Sequence, residues 1–74
     1  METSSDQQRI GNALRMLRLA RFSSQDAFAD HIKMHRAYYG SIERGKVNIT
    51  LSTLVRVCNG LEVKPSEVLK KCGL

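Results

Sequence analysis

Apolar residues recur at intervals of three and four along most of this 74-residue chain, which is the spacing of one face of an α-helix. No segment shows the alternation of apolar and polar residues that indicates a half-buried β-strand. A chain this short has room for one modest core, so the pattern predicts a single all-α domain. We expect a disordered tail over residues 1–6 and one folded domain over residues 7–74.

Residues that start or stop helices divide the chain into five predicted helices. Ser24 and Thr50 are good N-caps. Pro65 suits the first position of a helix, and Gly45 suits the position just after one. The predicted helices cover residues 7–21, 25–32, 36–44 and 51–60, and a short fifth helix opens at Lys64-Pro65. The predicted core stripe of the fourth helix is Leu51, Leu54, Val55, Cys58 and Leu61.

The charge balance points to a polyanionic partner. Twelve Lys and Arg residues stand against 7 Asp and Glu, which gives a net charge of +5 and a pI of about 9.7. An excess of this size on a small domain favours nucleic acid as the partner. A basic protein without such a partner is the alternative that charge alone leaves open.

Motifs for catalysis, metal binding and export are missing from the sequence. There is no glycine-rich phosphate loop and no nucleophile motif, so we expect no enzyme, no cofactor and no small-molecule substrate. The two cysteines form no C-x-x-C pair, and His31 and His35 lack a third ligand, so neither a disulfide nor a metal site is predicted. No apolar run has membrane-spanning length and no signal-peptide region is present, which favours the cytoplasm and its nucleoid.

The third predicted helix carries an unusual set of side chains. Its sequence is HRAYYGSIERG over residues 35–45. Glycine at position 40, inside the helix, costs about 1 kcal/mol relative to alanine. On a helical wheel, Tyr38 and Glu43 lie at the borders between two arcs. Opposite the apolar residues Tyr39 and Ile42, one arc holds Arg36, Ala37, Gly40, Ser41 and Arg44.

The outward arc of this helix has the properties that a DNA groove requires. Small side chains let the backbone approach a surface, and two arginines favour an anionic surface with acceptors. The major groove of DNA provides an anionic surface with hydrogen-bond acceptors, and it is wide enough for one helix. We expect Arg36 to reach guanine O6 and N7, and Ala37 to touch a thymine methyl group. Ser41 and Tyr38 are further candidates for base or backbone contacts. The alternative is an exposed basic helix whose arginines serve solubility.

The segment SQDAFADHIKMHRAYYGSIERGKVNITLSTLVRVCNGLEV resembles the Xre/Cro/phage-repressor helix-turn-helix family. Two short helices joined by a tight turn make the helix-turn-helix pattern. The resemblance covers about residues 14–69 and implies a five-helix, lambda-repressor-like DNA-binding domain. Within the family, RAYYGSIERGKVNITL is especially similar to the controller proteins of restriction–modification systems. The family's turn glycine is Lys33 here, so we expect Lys33 to adopt a left-handed conformation.

The resemblance assigns roles to individual residues. The third helix would read bases, with Arg36 leading. Glu43 would turn inward and form a structural ion pair with Arg18. The implied contacts to the DNA backbone are Ser24, Gln25, Arg44, Lys46 and Asn48.

The resemblance also implies a homodimer on double-stranded DNA. The fourth and fifth helices would form the dimer contact, which would place two recognition helices about 34 Å apart on a pseudo-palindromic operator. The implied dimer contact comprises Leu61, Val63, Val68 and Leu69, unless these residues only close the core. The main alternative function is a protein-interaction module, antitoxin-like or regulator-binding, with secondary DNA binding.

Overall fold

In the computed structural model, which describes residues 2–74, five α-helices follow one another and no strand is present in that range. The predicted all-α class is confirmed. The helices are α1 (Glu2–Leu19), α2 (Gln25–His31), α3 (Arg36–Glu43), α4 (Leu51–Leu61) and α5 (Pro65–Lys71). The helix-turn-helix unit is formed by α2 and α3, which pack against each other, while α1 packs against both α3 and α5.

The first helix begins earlier than the sequence suggested. Residues 2–6, for which we expected a tail, are the first residues of α1, while Met1 lies outside the described residues. This segment contains no glycine or proline that would interrupt a helix. At the other end α1 stops at Leu19, and the backbone N–H groups of Arg21 and Phe22 turn back to the Arg18 carbonyl.

Local capping fixes where the shorter helices begin. Ser24 Oγ accepts a hydrogen bond from the Ala27 backbone N–H at 3.0 Å, and Thr50 Oγ1 accepts one from the Thr53 N–H at 3.2 Å. Such caps satisfy backbone donors that have no partner within the helix. Glu67 performs the equivalent task in α5 by accepting from the Lys64 N–H at 2.9 Å.

The turn between α2 and α3 places Lys33 at φ 55°, which confirms the left-handed conformation expected where the family has glycine. A non-glycine residue in this region costs about 1–2 kcal/mol. The cost is offset by support from α4, because Arg56 Nη2 donates to the carbonyls of Ile32 and Lys33 at 2.8 and 2.6 Å. The turn therefore holds α2 and α3 in a fixed relation.

The core is built from all five helices, but the predicted stripe of α4 was partly wrong. Leu51 and Val55 are 74% and 37% exposed, whereas Val57 is fully buried. The helix is rotated so that its inward side follows the i, i+3, i+4, i+7 spacing. The residues of α4 that enter the core are Leu54, Val57, Cys58 and Leu61.

Two of the four residues expected in a dimer contact belong to the core instead. Leu61 and Val68 have 0% exposure, because α4 and α5 need them to close the core against the first two helices. Val63 and Leu69 are only half-buried. A second subunit would therefore have no access to Leu61 or Val68 in this fold.

Candidate nucleic-acid interface

The third helix lies on the surface with one side against the core. Tyr39 and Ile42 are buried, and the Tyr39 ring meets Phe28 of α2 edge to face at a centroid distance of 5.1 Å. The exposed residues of α3 and its C-cap are Arg36, Ala37, Tyr38 and Arg44, and Ser41 is half-buried. The outward arc predicted from the helical wheel is therefore accessible at Arg36, Ala37 and Arg44, and partly accessible at Ser41.

Gly40 is an exception to the predicted outward arc, because it is buried. A Cβ atom at Gly40 would lie 2.9 Å from Arg44 Nη1 and 3.0 Å from Gln25 Oε1. The side chains of Gln25 and Arg44 therefore cover the backbone at Gly40. The missing side chain leaves room for these two groups, which gives a physical reason for a glycine inside a short helix.

Glu43 and Arg18 form a buried ion pair that ties α3 to α1. Arg18 Nε donates to Glu43 Oε2 and Arg18 Nη2 donates to Glu43 Oε1, both at 2.9 Å, as the resemblance implied. Gln25 Nε2 donates to Glu43 Oε1 at 3.0 Å, which adds α2 to the same network. The network fixes the orientation of α3, while its bidentate geometry satisfies both carboxylate oxygens.

Burial and hydrogen bonding act in opposite directions on the ionisable groups of this network. Burial by itself would raise the pKa of Glu43, but hydrogen bonds, chiefly from Arg18, outweigh it and lower that pKa overall. The same pairing raises the pKa of Arg18. Burial, followed by the nearby Glu43 carboxylate, raises the pKa of the Tyr39 phenol. The ion pair is therefore charged at neutral pH and Tyr39 is not.

Arg36 is held by a partner that the sequence did not predict. Its Nε and Nη2 atoms donate to the Asp30 carboxylate at 3.1 and 2.7 Å, and its Nη1 atom lies 3.6 Å from Asp26 Oδ2. The side chain remains 59% exposed. The hydrogen bond from Arg36 lowers the pKa of Asp30. The Asp30 carboxylate that pairs with Arg36 is therefore ionised at neutral pH.

An open polar groove of about 550 Å³ lies between α1 and the end of α3. Its cationic lining comes from Arg15, Arg44 and Lys46, and Glu43 contributes to the wall. The groove also contains Gln8, Asn12 and Gln25. Sequence reasoning missed the contribution of α1, although Gln8, Asn12 and Arg15 form an i, i+4, i+7 polar stripe that could have indicated it.

The other predicted contact residues are already engaged or lie apart from the groove. Ser24 Oγ caps α2, so its hydroxyl hydrogen remains available to a phosphate while its oxygen accepts from Ala27. Ser41 Oγ donates to the Ala37 carbonyl at 3.0 Å. Asn48 is exposed in the loop between α3 and α4. The structure thus groups Gln25, Arg44 and Lys46 but not Asn48.

Among the side chains that the structure describes, no group of three or more from histidine, cysteine or acidic residues is arranged to hold a metal ion. His31 instead packs against the Phe22 ring at a centroid distance of 5.0 Å. Over residues 2–74, none of the helices combines the length and hydrophobicity needed to cross a bilayer.

Comparison with known proteins agrees with this geometry, since residues 9–70 match the helix-turn-helix domain family. The chain belongs to this family. It is 43% identical over 61 residues to control protein C.MunI of a Mycoplasma species, which covers 81% of this chain and 82% of that protein. The helix-turn-helix fold also superposes on the restriction-modification controller protein C.AhdI from Aeromonas hydrophila with a TM-score of 0.80, at 33% identity, covering 86% of this chain and 97% of that one.

A more distant helix-turn-helix structure supports the fold alone. The clp gene regulator ClgR from C. glutamicum gives a TM-score of 0.83 at 24% identity, over 90% of this chain and 87% of that one.

Family membership and the exposed basic face of α3 together define the activity. This helix-turn-helix protein is a DNA-binding transcription regulator.

Proposed function

We propose that the chain acts as a homodimer on a pseudo-palindromic operator, in the role of a restriction–modification controller protein that also regulates its own gene. The observation that carries this proposal is the exposed face of α3, with Arg36 in its first turn, beside the cationic groove. C.MunI and two further relatives are each called a control protein, which supports the controller role. The protein would work in the cytoplasm, at the nucleoid.

Base readout would come from the N-terminal half of α3. Arg36 would donate to guanine O6 and N7, the commonest specific contact in the major groove. Ala37 would meet a thymine methyl group, and Tyr38 would contact a base edge or the sugar–phosphate backbone beside it. Ser41 has a smaller part, because its hydroxyl already donates to the Ala37 carbonyl.

The DNA backbone would be held on both sides of α3. Arg15, Arg44 and Lys46 would place three positive charges around phosphates in the groove. Gln25 would donate to the same strand, with Ser24 beside it and Asn48 on the following loop. These contacts carry little sequence information but fix the register of α3 in the groove.

A dimer would use apolar surface that the core leaves free. Val63 and Leu69 remain candidates, since both are half-buried, and the exposed Leu51 and Val55 add apolar surface on α4. One short helix reads only a few base pairs, so two copies would be needed for a specific site. The two copies of α3 would enter successive major grooves about 34 Å apart.

Fluorescence anisotropy at physiological salt tests this proposal. The probes are DNA from upstream of the protein's own gene and a scrambled duplex of the same composition. We expect a preference of about a thousandfold or more. Arg36→Ala should reduce the ratio of the affinities for the two duplexes. Arg44→Ala should weaken binding to both duplexes alike. Equal, weak binding of the wild-type protein to both duplexes, or an Arg36→Ala variant that binds as the wild type does, would contradict it.

A second candidate function is the protein-interaction module. Met16 and Leu19 of α1 are 56% and 45% exposed, and Leu74 is 54% exposed, which is apolar surface away from α3. Tight retention of a protein partner, abolished by Met16→Lys but not by Arg36→Ala, would support this function. If the same Met16→Lys variant kept the wild-type ratio of affinities for the two duplexes, the surface that binds the protein partner would be separate from the one that binds DNA.

A further inference from the structure

The arginine proposed to read guanine is fixed from the side by α2. Asp30 receives two hydrogen bonds from Arg36, through Nε at 3.1 Å and Nη2 at 2.7 Å. The distance from Arg36 Nη1 to Asp26 Oδ2 is 3.6 Å, which is too long for a hydrogen bond. The contact with Asp30 is thus bidentate, and the one with Asp26 is electrostatic only.

The donors that remain on Arg36 are those that a guanine needs. An arginine has five N–H donors in a planar fork. Asp30 occupies the Nε–H and one N–H of Nη2. Both N–H groups of Nη1 and the second of Nη2 make no hydrogen bond, although Nη1 faces Asp26 Oδ2 at 3.6 Å. The end of the guanidinium can therefore still donate in parallel to O6 and N7. Asp30 therefore orients the guanidinium without using the edge that would face the base.

The backbone that carries Asp30 is held in place. Asp30 follows the buried Ala29 near the end of α2, and its backbone carbonyl accepts from the Lys33 N–H at 3.1 Å in the turn. The edge-to-face contact between Phe28 and Tyr39 locks α2 against α3. A long, exposed arginine normally loses much rotational freedom when it binds. Because Asp30 already restrains the Arg36 side chain in the folded protein, part of this loss of rotational freedom would occur on folding and not on DNA binding.

We propose that Asp30 is a positioning residue for base readout, which holds Arg36 with its free N–H fork directed at a guanine. This inference rests on the proposed function, because it requires Arg36 to contact a base. Asp26 supplies the same charge one turn earlier on α2 without the hydrogen bonds. It therefore serves as a matched control for the electrostatic repulsion that any carboxylate exerts on DNA.

The test measures base discrimination rather than affinity alone. A duplex is selected from a randomised pool by the wild-type protein, and the guanine whose discrimination depends on Arg36 is located by single base-pair changes. Discrimination is the Kd for the duplex with adenine at that position divided by the Kd for the selected duplex. We expect about 5- to 150-fold for the wild type. The variants are Asp30→Ala, Asp26→Ala, Arg36→Ala, and the double variant of Asp30 and Arg36.

Asp30→Ala should lower discrimination about three- to fivefold, in the upper range for exposed ion pairs. Asp26→Ala should leave discrimination unchanged, although both single variants bind all DNA more tightly at low salt. Arg36→Ala should abolish discrimination, and the double variant should equal it. Because both aspartates are exposed, thermal melting should show that each variant folds.

The outcomes separate this inference from the proposed function. Unchanged or increased discrimination in Asp30→Ala, with discrimination lost in Arg36→Ala, would overturn the positioning role alone. Equal losses in Asp30→Ala and Asp26→Ala would also overturn it, since charge without hydrogen bonds would then suffice. If the pool yields no preferred duplex, or if no position depends on Arg36, the base readout itself is refuted and the positioning role falls with it.

Discussion

Replacing Gly40 by alanine should make the protein more stable and a weaker DNA binder. Alanine stabilises a helix interior by about 0.5–1 kcal/mol relative to glycine. The added Cβ would lie 2.9 Å from Arg44 Nη1 and 3.0 Å from Gln25 Oε1, which are the ends of flexible side chains. The Arg44 end can move away at little cost, whereas a shift of the Gln25 amide weakens its 3.0 Å hydrogen bond to Glu43. Part of the gain in helix propensity should therefore remain.

The stability change should be visible as a rise in Tm. For a domain of this size, 0.5–1 kcal/mol corresponds to about 2–8 °C. The loss of binding has a separate origin, because the displaced Gln25 and Arg44 are the groups proposed to hold phosphates. Losing one charge-assisted hydrogen bond costs about 1.5–3 kcal/mol, so affinity for any duplex should fall at least about tenfold.

Circular-dichroism melting and fluorescence anisotropy on the same preparation measure both effects. Gly60→Ala is a matched control, because its Cβ would collide with Ile32 Cγ2 in the packed interface between α2 and α4. It should lower Tm. A Gly40→Ala protein that melts below the wild type, or that binds DNA with unchanged affinity, would refute the explanation of Gly40 as space for Gln25 and Arg44.

Two further predictions concern the ion pair and the groove. Glu43→Gln should cost about 3–5 kcal/mol in denaturant unfolding, because Arg18 keeps a buried charge without a counter-charge. Since the pKa of Glu43 is lower in the folded protein, its stabilisation is complete above the ordinary value of 4.5 and is lost as the pH falls through the folded pKa. Urea midpoints between pH 7 and 3 should decline in the wild type and decline less in Glu43→Gln. Arg15→Ala should reduce the slope of log K against log salt by about one per protomer, and an unchanged slope would exclude a phosphate contact at Arg15.

Much of the fold could be predicted because the relevant signals are local. Helix starts depend on short-range caps such as Ser24 and Thr50, and the left-handed turn at Lys33 follows from the chain's alignment with its family. The side of α4 was harder to assign. Leu51 and Val55 match an apolar stripe as well as Val57 does, and only the positions of α1, α2 and α5 determine which side faces the core.

The sequence by itself determined that this protein is a small, basic helix-turn-helix domain whose third helix presents arginines. Periodicity, caps and charge are properties of neighbouring residues, so they can be read without knowing how the helices pack. Tertiary structure alone decided the pairing of Arg36 with Asp30, the burial of Gly40 beneath Gln25 and Arg44, and the contribution of α1 to the groove. Each of these depends on distances between side chains of different helices or turns, and such distances are fixed only when the core closes.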